Sequence, residues 1–312
     1  MKNQAIQAEE LQGNYTALIT TMDERGRIDY NKLDMLTDDQ IAAGAGILAC
    51  GTTAQSATLS PEEHVGLAEH IFNYVGGRTR VMVSAGSNNT REAIELSIEI
   101  EKRIGATTFL HVTGYYNNPP QEGLLAHYRT VANAIRPDSN IILYNVPGRT
   151  KSNIEAETAI ELAEHPKIIG VKEASGNLEQ VTKIIEGTDP NQFRVMSGED
   201  DLVAKIVEMG GFGVISATSN AAPVYFSKMA KTALEGRYEE AARMQEFINP
   251  LVKAVFCAKN PIPLAHMFDT NVRLPLVKLP KIEEKVMRTL LSYSMKDLGF
   301  CISKYHRIKE KV

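Results

Sequence analysis

The 312-residue sequence has no tryptophan and only three cysteines, Cys50, Cys257 and Cys301. An odd cysteine count without a Cys-x-x-Cys pair excludes a disulfide-stapled scaffold and points to a reducing compartment. A surplus of one charge is lacking too, since 34 Lys and Arg face 38 Asp and Glu for a net charge of −4. That balance is too mild for the cationic field of a nucleic-acid or anionic-membrane binder, so neither partner is expected. The least polar stretch runs from about Ile41 to Cys50, far short of a bilayer span. The N-terminus carries Glu9 and Glu10 and no continuous apolar block, unlike a secretory signal, so a cytoplasmic location is expected. No P-loop, nucleophile elbow, His-Glu-x-x-His or calcium loop is present. The seven histidines form no close ligand pair, and neither a metal nor another cofactor is expected. Gly44-Ala45-Gly46-Ile47-Leu48-Ala49 spells a dinucleotide loop, yet it leads from helix into strand, the reverse of that motif's order.

What is present is an alternation. Short apolar, β-branched runs at about 15–20, 46–51, 80–85, 107–113, 140–146, 168–173, 193–198 and 213–217 are separated by gaps long enough for crossover helices. One helix start reads in detail: Ser60 caps, Pro61 takes the first turn and Glu63 completes a capping box. After about Ala222 the strand signal stops and helices punctuated by Pro261, Pro263, Pro275 and Pro280 follow. The count predicts a (β/α)8 TIM barrel over 1–235 that carries the active site, with a C-terminal helical region over 236–312. A doubly wound sheet is the rival. The basic segment 303–312 reads as a solvated helix end rather than an anion-docking tail.

Barrels place their chemistry at the C-terminal ends of the strands, so unusual residues are sought there. The sixth run ends Gly170-Val171-Lys172-Glu173, with one lysine in a strand buried on both faces. Desolvation favours the neutral amine, which attacks a carbonyl to form a Schiff base; a solvent-facing lysine or a pair with Glu173 is the bland alternative. Tyr144 ends the fifth run, where a phenol can relay protons, and Arg149 follows on the loop, where a guanidinium can grip a carboxylate. After the second run, Gly51-Thr52-Thr53 forms a small-residue loop whose N–H groups suit a carboxylate. Tyr115 and Tyr116 follow the fourth run, adjacent aromatics of the kind that build interfaces.

Together Gly51-Thr52-Thr53, Ser56-Ala57-Thr58-Leu59, Tyr115-Tyr116-Asn117, Tyr144-Asn145-Val146-Pro147-Gly148-Arg149-Thr150, Gly170-Val171-Lys172-Glu173-Ala174, Ser197-Gly198 and Gly213-Val214-Ile215-Ser216 resemble the dihydrodipicolinate synthase family. This branch of pyruvate-dependent class I aldolases also holds N-acetylneuraminate lyase. The resemblance implies that Lys172 forms the imine with pyruvate, while Tyr144 shuttles protons and connects through Thr53 to Tyr116 of a neighbouring subunit. It implies that the Thr52 and Thr53 amides hold the pyruvate carboxylate, that Arg149 binds the aldehyde carboxylate, and that Gly198 and Ile215 offer backbone carbonyls. Arg149 favours aspartate semialdehyde, and hence the lysine and diaminopimelate route, over sugar-derived acceptors that present hydroxyls there. Ser56, Ala57, His64, Asn88, Glu92 and Tyr115 match a pocket in which lysine inhibits many members. A homo-oligomer is implied, a tetramer built as a dimer of dimers. The alternatives are a related aldolase acting on a sugar acid or neuraminate-type substrate and a non-catalytic pyruvate-binding paralogue. Ala54-Gln55 stands where the family usually has Gly-Glu, and Gly114 where it has proline.

Overall fold

The structure, a computed structural model, describes residues 5–298. Cys301 and segment 303–312 lie outside the described residues. Eight parallel strands close into a barrel in chain order. They are β1 (Gly13–Ala17), β2 (Gly46–Ala49), β3 (Val81–Ser84), β4 (Thr108–Val112), β5 (Asn140–Asn145), β6 (Ile168–Glu173), β7 (Arg194–Ser197) and β8 (Gly213–Ser216). Helices fill the crossovers: α1 (Tyr30–Ala42), α2 (Pro61–Val75), α3 (Thr90–Ile104), α4 (Gln121–Ala134), the single turn α5 (Pro147–Thr150), α6 (Ala156–Ala163), α7 (Leu178–Gly187), α8 (Val203–Glu208) and α9 (Pro223–Leu234). Then come α10 (Tyr238–Val255), α11 (Ile262–Met267) and α12 (Lys281–Leu298), with α10 packed on α8, α9 and α12. The architecture is the (β/α)8 barrel that the alternation predicts.

Local chemistry sets most boundaries. Ser60 Oγ accepts from the Glu63 N–H at 3.1 Å and Glu63 returns a carboxylate to the Ser60 N–H at 2.9 Å, the capping box read from the sequence. Strand β2 stops at Ala49, short of Gly51, because Cys50 takes the left-handed backbone at φ 57°. Strand β1 starts earlier than expected, as Gly13 and Asn14 already pair with Gly213 and Val214. Gly46 opens β2 directly against Tyr15, whose ring leaves no room for a Cβ, so the glycine-rich string there is a packing device.

Side-chain alternation divides the core into two layers. Ile47, Val83, Phe109, Ile141, Leu143, Val171 and Val214 face the helices. Tyr15, Leu48, Met82, Leu110, Ile142, Met196 and Ile215 fill the interior. Ile6, Ala8 and Leu11 join that inner cluster from the N-terminal segment, which plugs the base of the barrel. There the Ile6 N–H donates to Thr108 Oγ1 at 2.8 Å and the Asn140 side chain donates to the Ile6 carbonyl at 2.8 Å. With the base closed, the opposite end of the strands is left for the site.

Candidate active site

Strand β6 is buried along its whole length, and its register decides where Lys172 points. Ile168 faces the helices, so strict alternation would send Lys172 outward with it. The pairing slips instead: Ile141 lies across from Ile168, but Ile142 lies across from Gly170. A slip of one residue exchanges the two faces of a strand. Lys172 therefore turns inward opposite Tyr144, its Nζ 4.6 Å from the ring centroid. Glu173 faces the helices, where its carboxylate accepts from Ser175 N at 2.7 Å, Asn145 Nδ2 at 3.0 Å and Gln180 Nε2 at 3.1 Å. That acid is committed elsewhere and does not pair with Lys172.

Lys172 and Tyr144 open into a cavity of about 690 Å³ at the C-terminal ends of the strands. Thr52, Thr53, Arg149, Gly198 and Ile215 line the same cavity, so every residue expected there except Tyr116 is brought together. The loop after β2 is folded back by left-handed residues at Cys50 and Gln55. Among the described residues, neither the Thr52 nor the Thr53 amide N–H has a hydrogen-bond partner within the chain. Gly198 has a steric duty, since a Cβ there would lie 2.6 Å from Ala174 Cβ and 3.0 Å from the Glu173 carbonyl. Arg149 sits on the single turn α5 and donates to the Asn260 carbonyl at 3.2 Å.

Asn260 is a residue the reading of strand ends missed. Its side-chain amide donates to Thr53 Oγ1 at 3.0 Å. With Phe256, Cys257, Lys259 and Glu283 it forms a cavity wall supplied by the segment beyond α9, outside the 1–235 range in which the site was sought. The Asn260-Pro261-Ile262-Pro263 string was the available signal. Glu199 was missed as well, although three acids in a row, Glu199-Asp200-Asp201, follow a strand end. It lines the cavity, and burial, reinforced by Asp201 and Asp200, pushes its carboxyl up to about 7 against the opposing pull of Lys172. Asp200 beneath it is fully buried, accepts from the Thr218 N–H at 2.7 Å, and is pushed up chiefly by burial.

Tyr116 is 94% exposed, takes φ 74° and lies outside its own chain's cavity. No hydrogen bond links it to Thr53 among the described residues. Gln55 uses both ends of its amide on the scaffold: Nε2 donates to the Asn271 carbonyl at 3.3 Å and Oε1 accepts from the Arg273 N–H at 3.0 Å. A glutamate would lose the first of these bonds, which gives a structural reason for the amide.

A second cavity of about 1020 Å³ shares Thr52, Tyr144, Arg149 and Asn260 with the first. Ser56, Ala57, His64, Glu92 and Tyr115 line it, and Asn88 donates to the Tyr115 carbonyl at 3.1 Å just beside it. His64 is held at Nε2 by the Ser84 carbonyl at 2.7 Å, and burial lowers its pKa. Among the described residues, no helix is long and apolar enough to cross a membrane.

Fold and cavity place the chain among the (β/α)8-barrel enzymes. A sequence profile of the dihydrodipicolinate synthetase family matches residues 10–292. The 4-hydroxy-tetrahydrodipicolinate synthase of Pseudomonas putida is 41% identical over 289 residues, 90% of this chain and 98% of that protein. A crystal structure of the chloride-inhibited dihydrodipicolinate synthase of Acinetobacter baumannii in complex with pyruvate superposes with TM-score 0.86 at 35% identity, covering 91% of this chain and 99% of that one. The lysine-bound enzyme of Cyanidioschyzon merolae does so with TM-score 0.85 at 37% identity, covering 90% and 98%. The chain belongs to the dihydrodipicolinate synthetase family.

Proposed function

We propose that this chain condenses pyruvate with aspartate semialdehyde to 4-hydroxy-tetrahydrodipicolinate through a Schiff base on Lys172. The observation that carries the reading is the inward, tyrosine-faced Lys172 sharing one cavity with Arg149 and the unpartnered Thr52 and Thr53 amides. The amides receive the pyruvate carboxylate, and the Lys172 amine adds to the ketone and expels water with Tyr144 handling the protons. The imine acidifies the methyl group, and the resulting enamine carbon adds to the aldehyde. Arg149 takes the aldehyde substrate's carboxylate. The substrate's amine then attacks the imine carbon, closing the ring and freeing Lys172.

Two finer readings accompany it. A second copy of the chain supplies Tyr116 to complete the relay through Thr53, in a homo-oligomer we take to be a tetramer. Support comes from a bulky side chain left 94% exposed on a left-handed backbone, a conformation that costs roughly 1–2 kcal/mol. Lysine inhibits from the second cavity, where Glu92 suits its ammonium and Asn88 its carboxylate. An assay coupled to dihydrodipicolinate reductase, following NADPH oxidation, tests the activity with Lys172→Ala as control. Activity that vanishes in the variant is expected. A wild type that is inactive yet trapped by borohydride with pyruvate on Lys172 would make the chain an aldolase for another aldehyde, and no trapping would make it a binding paralogue.

A further inference from the structure

Glu199 lines the cavity and has no part in the roles assigned so far. Its backbone is clamped: Ser197 Oγ donates to the Glu199 carbonyl at 2.7 Å and accepts from the Glu199 N–H at 3.2 Å. The glycine before it lets the end of β7 close onto Ala174 at the end of β6, which brings Glu199 to the edge of the Lys172 site. Its carboxylate, by contrast, makes no hydrogen bond or ion pair among the described residues. A half-buried carboxylate left without a partner is costly, and that cost is relieved by a ligand that brings a donor and a positive charge.

The substrate proposed above has such a group. Aspartate semialdehyde carries its carboxylate and its ammonium on one carbon, and Arg149 accounts only for the first. We infer that Glu199 holds the α-ammonium of the aldehyde substrate and so selects amino aldehydes over their uncharged or hydroxylated counterparts. This rests on the proposed reaction and deepens it. Arg149 and Glu199 then form a pair of opposite charges in one cavity, matched to a zwitterion. The charged groups around Glu199 fit the same role. Asp200 and Asp201 on its own loop and Glu173 on β6 raise its pKa, while Lys172 on β6 lowers it. Lys259 and Glu283 line the far wall. With its carboxyl near 7, an arriving ammonium draws it into the ionised form, and it remains a better proton acceptor than a surface carboxylate when the amine is later released for ring closure.

The test compares aspartate semialdehyde with succinic semialdehyde, the same chain without the amine. Glu199→Gln is expected to raise the KM for aspartate semialdehyde by about 10- to 100-fold. The Ki of succinic semialdehyde, the KM for pyruvate and borohydride trapping on Lys172 should stay within about twofold of wild type. In the wild type the aspartate semialdehyde KM should fall as pH rises through about 7, and this dependence should be absent from Glu199→Gln. An equal loss for both aldehydes, or loss of pyruvate trapping in a folded variant, overturns the inference. Should Glu199→Gln fail to fold, the wild type decides: equal affinity for the two aldehydes at pH 8 overturns it. A wild type that traps pyruvate but never consumes aspartate semialdehyde overturns the proposed reaction itself, whereas normal turnover by Glu199→Gln overturns only the role of Glu199.

Discussion

Lys172 faces Tyr144 across the β5–β6 ladder only because β6 slips by one residue between Ile168 and Gly170. Without the slip the lysine would lie on the helix-facing side with Ile168, where no ketone can reach it. Its amine instead sits 4.6 Å from the Tyr144 ring centroid. Tyr144→Phe keeps that ring and deletes the hydroxyl. Turnover should fall by about 10²- to 10⁴-fold while borohydride trapping still modifies Lys172, slowly. Undiminished turnover would remove Tyr144 from proton transfer.

The bond from Asn260 to Thr53 joins residues 207 positions apart and ties the segment beyond α9 to the loop after β2. Asn260→Ala leaves a buried hydroxyl short of its donor, which costs about 1–3 kcal/mol. Steady-state kinetics should show kcat/KM for pyruvate reduced roughly tenfold or more. A variant with wild-type kinetics and a lowered melting temperature would make Asn260 purely structural.

Arg149 is held to the Asn260 carbonyl by one guanidinium nitrogen. Arg149→Ala should lower kcat/KM for aspartate semialdehyde by on the order of 10²-fold and leave pyruvate trapping intact. Arg149→Lys should recover little, because an ammonium cannot copy a planar fork. Equal loss of pyruvate binding would assign Arg149 to the other substrate.

Gly198→Ala would drive a methyl group to 2.6 Å from Ala174 Cβ. The ends of β6 and β7 must separate, at about 1–3 kcal/mol. Thermal unfolding should drop by several degrees and imine formation should slow together with it. A variant as stable and as active as wild type would show that the strand ends have room to spare.

His111 is fully buried on β4, with Nε2 on Ser97 Oγ at 3.2 Å, and burial, helped by His127, lowers its pKa to about 3. The unfolded chain takes up this proton near 6.5 and the folded chain does not. Its contribution to stability is therefore complete above about 6.5 and is lost as pH falls from there towards 3. Replacing it in His111→Gln should flatten the acid limb of a melting-temperature profile over that window. An unchanged slope would mean that the folded protein accommodates the charged ring.

The sequence by itself determined the eight-fold alternation, the barrel and the α2 capping box, because periodicity and caps act over a few residues. Lys172, Tyr144, Arg149 and the Thr52-Thr53 loop were legible because barrel chemistry gathers at strand ends. Tertiary structure alone decided the rest. The β6 slip is a property of two strands pairing, so no pattern within β6 announces that Lys172 turns inward. Asn260 reaches Thr53 from 207 residues away, a contact that exists only once the C-terminal helices fold over the barrel mouth. Glu199 is one of three successive acids in the chain, and only the close approach of Gly198 to Ala174 sets it against the cavity, where burial rather than composition governs its charge.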